Sequence, residues 1–429
     1  MTDLGTTPPT TKRGLVAWAL FDWANSPFTT LIVTFVFSVY FALGIVGDEI
    51  HGTQLWGYAV SISALIIAIL APIFGAIADA GGPRKPWLLG FTALCVVGST
   101  LLWGAGPEER FIAWALIWFV IANAGFELGV VFNNAMLPDL VRHDRLGRWS
   151  GWAWGLGYIG GLTAIVVALV AFVQADHPLF GLDKASQEHV RIVGPLAALW
   201  LAVFAIPLFL WTPDRPRSNT PLAQQISGGL RSLSNTLGHL RSNGNIVRFL
   251  IARMLYTDGL ITVFAMGGLF AAGTFDMKIE QVLIFGIVLN LTAGLGAAGF
   301  GWIDDWIGAK RTLLISVAGL LITSAGAVTA PTATLFWIFG SALGVFVGPA
   351  QAASRSMMAR LSPAAHRTKF FGIYALTGKA TAFMGPALVA FITVTTNSQR
   401  WGLSITLAFF LVGGLLLLGV REDVETQTE

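Results

Sequence analysis

Five ionisable residues stand inside long apolar runs: Asp22, Glu127, Arg253, Asp258 and Lys379. A charge surrounded by hydrocarbon is costly, so such residues are read first as binding or coupling groups. Three carboxylates and an amine in one apolar setting suit a zwitterionic or anionic solute. The lysine holds a carboxylate group, and Asp22 or Asp258 holds an amine. Asp22 follows Arg13 by nine residues, which puts it ~13 Å along a helix, near the middle of a ~30 Å hydrocarbon core. Asp258 and Lys379 each follow a basic residue by ten positions, at ~15 Å. Asn25 and Pro27 beside Asp22 point to an interrupted helix, and capping such a break is the structural alternative for Asp22. A plain buried ion pair is the alternative for Lys379, with Asp22, Glu127 or Asp258 as its partner.

Glu127 shares a helix face with Asn123 and Asn134 at helical spacing. A polar stripe of that kind faces a water-filled cavity, and its carboxylate suits proton coupling. Gln351 and Arg355 are also four apart. Arg355 and Arg253 lie nearer the membrane surface, where each fits either a gate salt bridge or a side chain that snorkels to water. Other chemistries find no residues. No H-E-x-x-H or paired histidines mark a metal site, and no G-x-x-x-x-G-K-[ST] loop marks a nucleotide site. The single cysteine, Cys95, lies in an apolar run and reads as a small core residue. The expectation is no enzyme, no cofactor, no metal and no nucleic-acid partner.

The elements that hold these residues are membrane helices. Of 429 residues, 55% are hydrophobic and 11% charged, against about 25% charged in soluble domains. Twelve apolar stretches are long enough to span: 15–45, 54–78, 87–105, 111–137, 149–173, 191–211, 246–272, 280–303, 312–330, 333–356, 370–394 and 401–420. The polar segment 212–245 separates the sixth from the seventh. Its stretch from Leu222 to Leu240 has helix-like apolar spacing and reads as an amphipathic helix lying on the membrane. Of the 26 Lys and Arg, 19 fall on the side of the N-terminus and five on the other. That asymmetry puts both termini in the cytoplasm. The expected location is the inner membrane.

A duplication divides the chain. Gly75, Asp79, Gly82, Arg84 and Lys85 after the second span recur as Gly301, Asp305, Gly308, Lys310 and Arg311 after the eighth, each offset by 226 residues. Glycine permits a tight turn and close helix approach, the carboxylate meets a helix N-terminus, and the basic pair faces anionic headgroups. The pattern resembles the signature loop of the major facilitator superfamily, G-x-x-x-D-x-x-G-x-[RK]-[RK]. The expected fold is therefore an all-α membrane protein of twelve transmembrane helices in two pseudo-symmetric six-helix bundles. The halves are 1–211 and 246–429, joined by the 212–245 linker, with the solute site between them.

Further stretches narrow the resemblance. They are Phe21-Asp22-Trp23-Ala24-Asn25-Ser26-Pro27-Phe28, Phe132-Asn133-Asn134 with Pro138-Asp139, the Gly147-to-Gly161 run, Tyr256-Thr257-Asp258-Gly259, Gly348-Pro349 to Ser356, and Phe371 to Ala380. Together they are similar to the vacuolar effluxer-like branch, also called the unknown major facilitator family, over essentially the whole chain after residue 14. The resemblance implies alternating-access secondary transport of a small solute, and the fungal members are associated with amino-acid efflux from the vacuole. Position 80 departs from many superfamily members in being Ala. A single chain holds a complete unit, so a monomer is expected. A lipid-handling protein, or a non-transporting receptor or assembly factor on the same fold, is the alternative.

Overall fold

The structure is a computed structural model that describes residues 10–218, 221–239, 244–277, 279–378 and 381–422. The described residues are helical throughout, without strands. Without water to satisfy backbone groups, a long apolar run must close its hydrogen bonds within itself. The helices before the linker are α1 (Lys12–Pro27), α2 (Glu49–Gly81), α3 (Lys85–Leu101), α4 (Ile112–Leu140), α5 (Leu146–Ala168) and α6 (Val193–Trp211). The linker helix is α7 (Leu222–His239). After it come α8 (Gly244–Phe275), α9 (Ile279–Ile307), α10 (Ala309–Thr329), α11 (Ala333–Leu361), α12 (Arg367–Thr377), α13 (Met384–Thr396) and α14 (Ile405–Leu418). Local signals start several of them. Thr11 Oγ1 accepts from Gly14 N at 3.1 Å, and Asp48 Oδ1 from His51 N at 2.7 Å.

Eleven described segments are long and apolar enough to cross a membrane. The expected span 370–394 is not one of them: it comes as two pieces, α12 and the 13-residue α13. Pro386 falls in the first turn of α13, where its missing N–H leaves no helical bond unmade. The break expected at Asn25–Pro27 differs in the other direction. The chain stays helical past Pro27 and widens into π turns over Phe28–Phe35. Ser26 Oγ donates to Asp22 O at 2.7 Å and Thr30 Oγ1 to Ser26 O at 3.1 Å, back-bonds to carbonyls four residues earlier of the kind that bend helices.

Helix α5 organises the centre. Its Gly157 and Gly160 lie against Asp22 and Trp23 of α1, while Gly147 and Gly151 lie against Asp304, Ala297 and Gly301 of α9. A Cβ added at Gly151 would stand 2.3 Å from Ala297 O and 3.0 Å from Gly301 Cα, both backbone atoms. Gly151→Ala is therefore expected to destabilise the protein by roughly 1–3 kcal/mol, as overpacking does. The thermal unfolding midpoint of purified protein checks this, with Gly299→Ala as control, where a Cβ meets nothing within 4 Å. Linker helix α7 lies along the end of α2, with Gly229 against the backbone of Ala76 and Ile77. It is also tied to α12, whose Lys369 donates from Nζ to Ser232 Oγ at 3.0 Å.

Candidate functional site

Arg355 of α11 makes four side-chain hydrogen bonds and is 2% exposed. Its Nη1 donates to Asp22 Oδ2 of α1 at 2.8 Å and to Asn134 Oδ1 of α4 at 3.1 Å. Its Nε reaches Ser150 Oγ at 2.8 Å and its Nη2 reaches Ser150 O at 2.6 Å, both on α5. The rings of Trp18 and Trp154 lie 5.2 and 5.7 Å from its guanidinium carbon. Asn133 Nδ2 approaches the other Asp22 oxygen at 3.3 Å, and Asn133 O accepts from Trp18 Nε1 at 2.9 Å. One residue from after the linker is thus held by three helices from before it. The guanidinium's planar fork makes this possible, since it presents donors in several fixed directions at once. Arg355 therefore does not snorkel to the surface.

One turn along α11, Gln351 Oε1 accepts from Tyr158 Oη of α5 at 2.9 Å. Ser150, Trp154 and Tyr158 recur every fourth residue, so one α5 face meets Gln351 and Arg355 while its glycine faces meet α1 and α9. The stripe on α4 divides: Asn123 Nδ2 donates to Ser63 Oγ of α2 at 2.7 Å, whereas Asn134 turns to Arg355. Half-buried Glu127 stands between them, and Asn25 is buried on α1. Asp258 of α8 is 1% exposed. Arg253 is half-buried and makes no salt bridge within 4 Å among the described residues. Its Nη1 donates to Tyr374 O at 2.7 Å and Thr377 Oγ1 at 3.0 Å, over the Tyr374 ring. Lys379 lies outside the described residues. The partner expected for it in Asp22 is engaged by Arg355.

The duplicated loops sit on the face that carries most Lys and Arg, and their matching residues do matching work. Gly75 lies against the backbone of Thr368 and Lys369 in α12, and Gly301 against that of Gly147 and Arg148 in α5. Asp79 accepts from Thr368 N at 3.2 Å and Lys369 N at 2.9 Å, and so caps α12. Asp305 accepts from Arg148 N at 3.2 Å at the start of α5. Each carboxylate therefore caps a helix on the other side of the linker, where the exposed N–H groups and the helix dipole favour negative charge. Gly82 and Gly308 hold φ of +96° and +91°, a conformation that admits glycine at low cost. Two further carboxylates repeat the theme: Asp214 accepts from Arg84 N and Lys85 N, and Glu422 from Ala309 N and Lys310 N.

Beside them lies a cluster that the sequence spacing did not reveal. Asp139, at the end of α4, accepts from Arg84 Nη1 at 2.5 Å, Arg215 Nε at 2.6 Å and Arg367 Nη1. Arg84 also donates to Thr368 Oγ1 at 2.7 Å. The second such cluster joins Asp304 to Arg360 at 3.1 Å and to Ser356 Oγ. Arg84, Arg215 and Arg367 look like topology charges in the sequence, and Asp139 stands there only within a stretch that carries the family resemblance. Together these contacts close the basic face. His366 stands at the N-cap of α12, beside these contacts. Burial, and then the positive charge of Lys369, lower its pKa from the ordinary 6.5. The folded form thus resists protonation, and its stability falls as pH drops through about 6.5. Thermal unfolding of wild type should lose more on acidification than His366→Asn; equal losses would contradict that link.

The profile of the family described as "Vacuole effluxer Atg22 like" matches residues 38–148 and 145–428. The MFS-type transporter YxiO of Bacillus subtilis (strain 168) is 28% identical over 417 residues, covering 96% of this chain and 95% of its own. Autophagy-related protein 22 of Coccidioides immitis (strain RS) is 26% identical over 453 residues, covering 87% and 72%. The fold is shared with the E. coli fucose:proton symporter FucP, at TM-score 0.76, 13% identity and coverage of 95% and 98%. It is shared also with the human organic anion transporter MFSD10, at TM-score 0.73, 14% identity and coverage of 95% and 99%. With the family profile spanning nearly all of the helical chain, this multi-pass membrane protein belongs to the Atg22-like vacuole effluxer family of major facilitator transporters, and not to a family of enzymes.

Proposed function

We propose that the protein is a proton-coupled secondary transporter of a small zwitterionic or anionic solute, most simply an amino acid, moved outward. It works as a monomer in the inner membrane, with the basic face and both termini in the cytoplasm. In this reading α12 and α13 together form the eleventh of twelve spans. The halves 1–211 and 246–429 then rock about a central site, and the 212–245 linker bridges them. The observation that carries the reading is the buried Arg355–Asp22 pair. It is a costly contact between two groups of helices that must separate for the basic face to open. Gln351, Asn25 and Asn123 line the path beside it, Lys379 is the group for a solute carboxylate, and Glu127 carries the proton. The relatives named as vacuole effluxers, an organic anion transporter and a proton symporter support this choice of solute, direction and coupling.

Efflux from proteoliposomes preloaded with labelled amino acids, organic acids or sugars tests the proposal. Amino-acid flux driven by a pH gradient, lost in Glu127→Gln and when the gradient is dissipated, is the expected result. Flux of no solute, or flux indifferent to the gradient, would contradict it.

A further inference from the structure

The guanidinium of Arg355 occupies a site built by the other half of the chain. Its four hydrogen bonds all cross the linker, to Asp22 on α1, Asn134 on α4 and both oxygens of Ser150 on α5. Trp18 and Trp154, also from before the linker, flank it with ring centroids 5.2 and 5.7 Å from its central carbon. A carboxylate and other acceptors between two indole faces form an aromatic cage of the kind that takes organic cations. Its acceptors stand in several directions around one planar fork, which suits a guanidinium in particular. The cage is also tied to itself. Trp18 Nε1 donates to Asn133 O at 2.9 Å, and Asn133 Nδ2 to Asp22 Oδ1 at 3.3 Å. When the halves separate, its members therefore move together and lose their occupant. Asp22 is left with one long amide contact, and a carboxylate among indole rings is costly until another cation arrives. Two buried polar atoms beside it are unspent even with Arg355 in place, the Asn133 Oδ1 acceptor and the Trp154 Nε1 donor. An occupant with more polar groups than an arginine side chain can use both.

We propose that this cage binds the cationic group of the solute, and that the group is a guanidinium, as in arginine. The proposal rests on the transport reading above and names its solute class. Arg355 is then a tethered stand-in: it fills the cage while the basic face is closed, and solute replaces it when the face opens. The exchange leaves Asp22 paired in both states, so neither state buries a lone carboxylate. An ammonium offers a compact charge in place of the fork. A neutral amino acid therefore leaves some of these acceptors unmatched, which weakens its binding.

Removing the stand-in tests this. Thermal unfolding of purified full-length Arg355→Ala is measured with methylguanidinium, methylammonium or tetramethylammonium chloride at equal millimolar concentration. A ligand that binds only the folded state adds a constant increment of stability per tenfold rise in concentration once it exceeds its dissociation constant. Methylguanidinium should raise the midpoint of Arg355→Ala by several degrees, and methylammonium by less. Wild type, whose cage is filled, should respond much more weakly, and Arg355→Ala combined with Asp22→Asn not at all. Equal responses in the three proteins, or no preference over methylammonium, would overturn the cage. Arg355→Gln takes the same test should Arg355→Ala fail to fold. In wild-type proteoliposomes labelled arginine should leave faster than labelled leucine, and the reverse order would overturn the solute class. Leucine flux without any methylguanidinium response would remove the cage and leave the transport reading standing. A methylguanidinium response without flux of any solute would keep the cage and remove that reading.

Discussion

Arg355→Ala is expected to abolish flux, with a fall of at least ~100-fold, and to lower stability by roughly 3–5 kcal/mol, the cost of leaving one member of a buried pair alone. Asp22 would then face no cation. Asn134 Oδ1 and both Ser150 oxygens would lose their donor, and the Trp18 and Trp154 rings would flank a cavity. Arg355→Lys is the informative companion. It keeps the charge for Asp22 but cannot reach Ser150 and Asn134 with separate donors, because an ammonium lacks the guanidinium fork. It should therefore recover part of the stability and little of the flux. Flux by Arg355→Lys equal to wild type would reduce the arginine to a counter-charge. If Arg355→Ala and Asp22→Asn were each severe but no worse combined, the loss would belong to the contact, as a double-mutant cycle reads it.

Asp139→Asn carries the second large effect, and its direction is opposite in kind, because it should open the protein without disabling the solute path. Three guanidiniums, Arg84, Arg215 and Arg367, converge on this one carboxylate. Their mutual repulsion is held in check by its charge. With the charge gone, the basic-face contact between α4, the linker start and α12 loses about 3 kcal/mol or more, enough to move a two-state population by ~100-fold. Reaction of a cysteine placed at Thr368, which is fully buried in the closed form, reports the change in a Cys95→Ala background. Labelling should rise steeply in Asp139→Asn and return toward wild type when Arg367→Gln is added. Unchanged labelling would show that the Gly75 and Gly301 contacts alone keep the face shut.

Much of this arrangement could be read from the residues, for identifiable reasons. Apolar length and charge placement are local properties, so the spans before the linker and the duplicated loops stand out directly. The glycines at 82 and 308 and the carboxylates at 79 and 305 are dictated by turn geometry and helix capping, which act over a few residues. The eleventh expected span is described as two shorter helices, α12 and α13, a division that apolar content averaged over a window does not reveal. Pairing was the illegible part. Asp22 and Arg355 are 333 residues apart, and nothing in either helix states which carboxylate the guanidinium meets. Arg253 was open between a gate and the surface. Its actual partners, a carbonyl and a hydroxyl of α12, exist because that helix ends nearby at Thr377. Asp139 escaped notice since its three partners come from three different segments.

A distance measured across the basic face shows whether its two sides open and close about Arg355. Spin labels at the exposed positions Arg145, before α5, and Ala365, before α12, report that separation by pulsed dipolar spectroscopy in lipid. Wild type is expected to show a mainly short distance, with a minor long one that grows when a transported solute is added and dominates in Arg355→Ala. A single distance that neither solute nor Arg355→Ala moves would contradict it.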